Sequence, residues 1–211
     1  CVSGACVYDL KEKKTLYSQA LDPGIVKKLM EFALEEEAMI HVLSERSIVQ
    51  RDQQSHMADF HMGIYQTMFD KITDKLENIY NSFCQEPFPV LKLNLYHKDE
   101  YSRARTVERI KAAGLETALA LAESTSLECS AKGIDKGVGL KKLCEHLGLP
   151  LEQTIAVGDA DNDTMALKTA GLSIAMGNAT EPIKALADVI VADCDHNGCA
   201  EAIDKYLLAE N

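Results

Sequence analysis

The stretch from Thr154 to Leu167, Thr-Ile-Ala-Val-Gly-Asp-Ala-Asp-Asn-Asp-Thr-Met-Ala-Leu, constrains this chain more than any other. Thr154, Ile155 and Val157 are β-branched and predict a buried strand that stops at Gly158. Met165, Ala166, Leu167 and Ala170 predict a helix that closes at Gly171. Asp159, Asp161, Asn162 and Asp163 therefore fall between the carboxyl end of a strand and the N-terminus of a helix. Open parallel α/β sheets bind ligands at that point. Like charges so close together repel unless a cation, or a metal carried with a phosphate, offsets them. A donor set made only of oxygen favours Mg²⁺ over zinc. The plainer alternative is an acidic cap that complements a helix dipole.

The surrounding pattern supports a parallel sheet. From Lys132 onward the expected order is helix 135–147, strand 154–158, helix 162–170, strand 172–176, helix 181–187, strand 189–192 and helix 198–208. Strands and helices alternating through short loops predict a doubly wound sheet. The earlier part mixes its elements. Strands are expected at 1–8, 15–20, 38–43, 90–97, 116–122 and 126–130, with a helix starting at Asp22-Pro23 and another over 99–113. Residues 46–83 read as long, polar and helical in two pieces, with Met57, Phe60, Met62, Ile64, Met68 and Phe69 at irregular spacing, as packing residues. This half predicts an α+β insert.

Composition excludes several classes of function. The 211 residues carry 22 basic and 33 acidic side chains, a net charge of −11, which argues against a polyanionic partner such as nucleic acid. No apolar run approaches the ~18 residues of a membrane span, and no secretory leader is recognisable. The seven cysteines are odd in number and lack a Cys-x-x-Cys pair, which fits thiols in a reducing cytoplasm. His56 and His61 are five apart, the wrong spacing for one helix face, and read as packing or surface residues.

Three further segments carry possible chemistry. Lys136 opens the helix of Gly133-Ile-Asp-Lys-Gly-Val-Gly-Leu140, and a lysine there is electrostatically poor unless it faces an anion. It is either a solvated lysine or a partner for phosphate and carboxylate, with Lys132 a weaker candidate for that role. Gly177-Asn178-Ala179 follows the strand at 172–176, where glycine allows close approach and asparagine can bind an oxyanion or turn the chain. Asp193, Asp195, Asn197, Gly198 and Asp204 match several positions of a calcium loop. An aspartate replaces the bidentate glutamate, however, and a strand-like segment precedes the loop, so a polar turn capping the last helix is the simpler expectation.

Lys136-Gly137, Gly158-Asp-Ala-Asp-Asn-Asp163, Met176-Gly-Asn-Ala179 and Asn197-Gly198, in that order, make the chain resemble the haloacid dehalogenase superfamily, and most its Cof-type phosphatases. Ser3-Gly4-Ala5 is similar to the family's Asn-Gly-Ala. The resemblance implies an α/β fold: a partial Rossmann-like core with a parallel sheet, plus a large α+β cap domain. It implies a core-strand remnant over 1–7, a cap that sets substrate specificity over 8–130, and the C-terminal half of the core over 131–211. It further implies hydrolysis of small phosphorylated metabolites through an aspartyl-phosphate. Asp159 would then bind Mg²⁺ and Asp163 would support it. Lys136 would neutralise the phosphate and orient the nucleophile, with Asn162, Asn178 and Asp161 as contacts to phosphate or loop.

The family's opening Asp-x-Asp-Gly-Thr strand, with its nucleophile, has no counterpart in these residues. The expectation is that it precedes Cys1 and that the 211 residues are inactive alone. Strand 154–158 would then present an open edge to the missing segment or to another copy of the chain. The alternative expectation is a truncated binding or assembly protein with a weak metal site.

Overall fold

The computed structural model describes residues 1–123 and 125–208, which divide into two compact units. One comprises Cys1, residues 3–17 and the chain from Asp135 on; the other comprises Val2 and residues 18–134.

In the first unit, strands β1 (Cys6–Asp9) and β2 (Lys14–Ser18) form a hairpin. The Asp9 carboxylate closes its turn by accepting from the N–H groups of Lys11 and Glu12. The chain enters β1 through a 3-10 turn at Val2–Gly4, so the strand expected from residue 1 starts later; Ser3 and Gly4 lie at positive φ there.

The second unit holds α1 (Pro23–Glu35), β3 (Met39–Leu43), β4 (Ser47–Gln50), α2 (Arg51–Ser55), α3 (Gln66–Ile72), β5 (Asp74–Leu76) and α4 (Ile79–Gln85). It continues with β6 (Lys92–Tyr96), α5 (Glu100–Ala112), β7 (Thr117–Ala122) and β8 (Ser126–Ala131). Its six-stranded sheet runs β5-β4-β3-β6-β8-β7, antiparallel except for the β4–β5 pair. Two of its strands lie inside 46–83, so the expectation of two helices there is corrected. Ile48 and Val49 are β-branched and alternate in facing, and β4 pairs with β3 in the register His41↔Val49. Sheet pairing overrides local helix preference at such a site.

Period-two alternation assigns the two faces of this sheet. Leu93, Leu95, Leu127 and Cys129 point to one side with Ile40 and Val42, and pack on Leu29, Met30, Ile79, Phe83 and Ile110 of α1, α4 and α5. Burial of each large aliphatic side chain contributes about 1.5–3 kcal/mol. The opposite face holds Lys92, Asn94, Tyr96, Ser126 and Glu128, all on β6 and β8. Part of it is covered by Met57, Phe60, Met62 and Phe69, the irregularly spaced apolar residues of 46–83.

From Asp135 the first unit resumes with α6 (Lys136–Leu147), β9 (Ile155–Gly158), α7 (Thr164–Thr169), β10 (Leu172–Ala175), α8 (Glu181–Leu186), β11 (Val189–Ile190) and α9 (Gly198–Ala202). The strands form a parallel sheet in the order β11-β10-β9, as the alternation predicts. The last helix spans nearly the expected residues but changes type: α9 gives way to a π-helical turn at Ile203–Leu207. Leu167, Ala175 and Ile183 are buried on one face of the sheet, and Ile174, Val191 and Ala202 on the other. β9 is an edge strand, and its Val157 is 40% exposed.

Candidate metal and phosphate site

The carboxyl ends of β9, β10 and β11 lie at the same end of the parallel sheet. Asp159 follows the first, Asn178 the second and Asp193 the third. The Asn178 side chain ties these loops together. Its Nδ2 donates to Asp159 Oδ2 at 3.1 Å, and its Oδ1 accepts from the Cys194 N–H at 3.0 Å. The Thr180 N–H donates to the Asp159 carbonyl, which fixes the same loop from the backbone side.

After Asp159 the chain makes a 3-10 turn at Asp161–Asp163 and enters α7. Asp163 is 8% exposed and turns its carboxylate back under the end of β9. Its Oδ2 accepts from the N–H groups of Asp159 and Ala160 at 3.1 and 3.3 Å. Its Oδ1 receives Lys136 Nζ at 2.5 Å. A Cβ on Gly158 would come within 2.5 Å of Asp163 Cβ, so a side chain at 158 would displace this anchor.

Lys136 is the first residue of α6, beside the N-cap Asp135, whose carboxylate accepts from the Val138 N–H. Two features reach it across to Asp163. α6 packs on α7, and Gly137 permits the approach, because a Cβ there would lie 2.5 Å from the Met165 carbonyl oxygen. The anion expected opposite Lys136 is thus a carboxylate of the acidic loop itself. Lys132, the weaker candidate, forms an ion pair with Glu116 in the other unit of the chain.

The remaining candidates lie on the surface of the loop. Asp159 and Asp161 are exposed, and Asn162 is half-buried on the 3-10 turn. With Asp163 paired to Lys136, Asp159 and Asp161 leave two formal negative charges at the mouth, which attracts cations. The described hydrogen bonds leave Asp159 Oδ1 open, whereas both oxygens of Asp163 are engaged. Among the described residues, no three His, Cys, Asp or Glu side chains converge as a ready-made metal cage. An open carboxylate oxygen nonetheless suits Mg²⁺, which keeps several waters and takes one or two carboxylates plus substrate phosphate. The Asp193 segment takes the simpler form. Asp193 Oδ1 accepts from the N–H groups of Asp195 and His196, which makes it the cap of a turn. His56 and His61 bond the backbone carbonyls of Asp52 and Lys98.

Sequence reasoning missed a second polar cluster, on the inner face of the sheet in the second unit. His41, Asn94 and Tyr96 are each less than a tenth exposed and hydrogen-bonded to one another. The alternation of polar residues through Lys92, Asn94 and Tyr96 was the available signal. Burial lowers the His41 pKa from 6.5 to about 4, with the nearby Lys92 charge adding to the effect. Burial raises Tyr96 to about 12.

Comparison with known proteins places the site in context. A family model described as haloacid dehalogenase-like hydrolase matches residues 1–203. Phosphatase YwpJ of Bacillus subtilis is 45% identical over 83 residues, 39% of this chain and 29% of that protein. A phosphoglycolate phosphatase of Methanopyrus kandleri is 44% identical over 77 residues, 36% of this chain and 33% of that protein. The matches therefore span about a third of the length of these relatives. The crystal structure of a haloacid dehalogenase-like hydrolase from Bacteroides thetaiotaomicron superposes with a TM-score of 0.79 at 26% identity, over 96% of this chain and 74% of that one.

Proposed function

This chain belongs to the haloacid dehalogenase-like hydrolases, and on that premise we propose that it is most of a Mg²⁺-dependent, Cof-type phosphatase acting on small phosphorylated metabolites in the cytoplasm. The observation that carries the proposal is the triad of Asp159, Asp163 and Lys136 at the carboxyl end of β9. Asp159, with an oxygen open, is the residue to hold Mg²⁺. When bound, the ion supplies Lewis-acid neutralisation of phosphoryl oxygens.

The chain's own residues do the rest. Asp163 fixes the loop by accepting from the Asp159 and Ala160 N–H groups, so that Asp159 is aimed before any ligand arrives. It also holds the Lys136 ammonium, which is 36% exposed and within reach of an incoming phosphate. Asn178 sets the rotation of the Asp159 carboxylate. Asn162 and Asp161 stand on the turn beside it as contacts to phosphate or loop.

An aspartyl-phosphate route needs a nucleophilic carboxylate next to Lys136. We place that group on a strand that pairs along the open edge of β9. A second copy of the chain is the other candidate for covering that edge. The free thiols of all seven cysteines support a reducing compartment.

The test is phosphate release by the full-length polypeptide from a panel of phosphomonoesters, with Mg²⁺ and with EDTA. Release that requires Mg²⁺ supports the proposal. Undiminished release in EDTA, or none from any monoester, overturns it.

A further inference from the structure

The second unit contains a cavity of about 260 Å³ between the polar face of its sheet and the segment 62–69. Its floor is His41, Asn94 and Tyr96, and its walls include Met62, Tyr65 and Phe69. Asn94 is 8% exposed, and its Oδ1 is buried without a hydrogen-bond partner. An unmet buried acceptor costs about 1–3 kcal/mol, and such atoms call for an explanation.

The Asn94 amide is met on one side only. Its Nδ2 donates to the Tyr96 hydroxyl at 3.2 Å. That hydroxyl lies 3.3 Å from His41 Nδ1, and His41 Nε2 lies 2.8 Å from Ser47 Oγ. Burial keeps the imidazole neutral, so it adds no charge to the cavity floor. The unmet atom is an acceptor, and a ligand that pairs with it must bring the proton.

The other groups narrow the class. Glu128 is paired with Lys92 at 2.7 Å, which leaves Glu123 as the charge at the rim and disfavours an anion. The Glu123 carboxylate is a second acceptor, with Ser126 Oγ beside it at 3.4 Å. Phe69 and Tyr65 offer flat apolar surface to C–H groups. The volume lies below the roughly 300–1,000 Å³ typical of drug-sized ligands. We propose that the second unit carries a binding site for a small uncharged polyol, with one hydroxyl donating to Asn94 Oδ1 and another to Glu123. The site stands on this unit alone and does not rest on the phosphatase reading.

The test is a chemical-shift titration of the ¹⁵N-labelled chain with sorbitol and myo-inositol, with sorbitol phosphate and nicotinamide as controls. Saturable shifts of the Asn94 side-chain amide by a neutral polyol, with a Kd of about 10 mM or tighter, are expected. Asn94→Leu should weaken this binding about tenfold or more, while its melting temperature stays equal or rises, because an unsatisfied acceptor has been removed. The proposal is overturned if neither polyol shifts the Asn94 amide, if nicotinamide or the phosphate ester shifts that amide as strongly as the polyols do, or if folded Asn94→Leu binds the polyols undiminished.

Discussion

The acidic loop of the first unit and the polar face of the second solve opposite problems with polar groups. The loop is mostly exposed. Asp159 and Asp161 face solvent, and one buried carboxylate, Asp163, holds the structure through two backbone N–H groups and a lysine. The polar face is buried. His41, Asn94 and Tyr96 sit under aromatic and methionine side chains beside the Lys92–Glu128 pair, and burial keeps His41 neutral. An exposed site can leave a carboxylate oxygen open at little cost, whereas a buried site must satisfy every polar atom or carry the penalty. The first arrangement suits a hydrated cation and the second an uncharged molecule.

That contrast has graded consequences. The largest is expected at Asp159. Asp159→Ala in the full-length polypeptide should lower phosphate release about 10³-fold, since several kcal/mol of charge stabilisation are lost and each 1.4 kcal/mol is tenfold. The melting temperature should hardly move, because Asp159 is exposed. A large loss of stability instead would show the loop to be structural.

In the second unit, Leu95→Ala should cost about 2–5 kcal/mol in chemical denaturation, as a fully buried leucine on the helix-covered face does. A cost below 1 kcal/mol would mean that this face is not packed as described.

His41 provides a pH signature. Its folded pKa, about 4, lies below the unfolded 6.5, so the unfolded chain binds more protons between these values. Stability is therefore full above pH 6.5 and falls as the pH drops toward 4, by up to about 3 kcal/mol. His41→Gln should flatten that slope when unfolding is followed across the window. It should leave the part due to His97, whose pKa burial also lowers. An unchanged slope would place His41 in water.

The smallest effect is expected at Lys28, which pairs with Glu31 one helical turn away on the solvent-facing side of α1. Lys28→Ala should change stability by less than about 0.5 kcal/mol.

The two regions also differ in how far the sequence disclosed them. The acidic loop is local. Its strand, turn and helix are consecutive, so β-branched residues, a glycine stop and clustered carboxylates were enough to locate Asp159 and Asp163. For Lys136 a phosphate or a carboxylate could be expected, but not Asp163 in particular, because that contact depends on α6 packing against α7 through Gly137. The polar face is assembled from β3, β6 and β8, whose residues are 30 or more apart in sequence, as with His41 and Tyr96. The alternation of Lys92, Asn94 and Tyr96 marks one strand of it, and no local pattern shows which strands lie beside that one. Residues 46–83 hide their strands for the same reason. Ser47–Gln50 is a strand because β3 lies beside it, and its polar neighbours gave no sign of that partner.

The central claim is that the loop at Asp159, and neither the Asp193 turn nor the polar face of the other unit, is where a divalent ion is held. Paramagnetic titration with Mn²⁺ as the Mg²⁺ probe, on the full-length polypeptide and on Asp159→Ala and Asp193→Ala, tests it most directly. The account predicts one site that Asp159→Ala abolishes and Asp193→Ala leaves intact. Mn²⁺ binding that survives Asp159→Ala, or that disappears with Asp193→Ala, would contradict it.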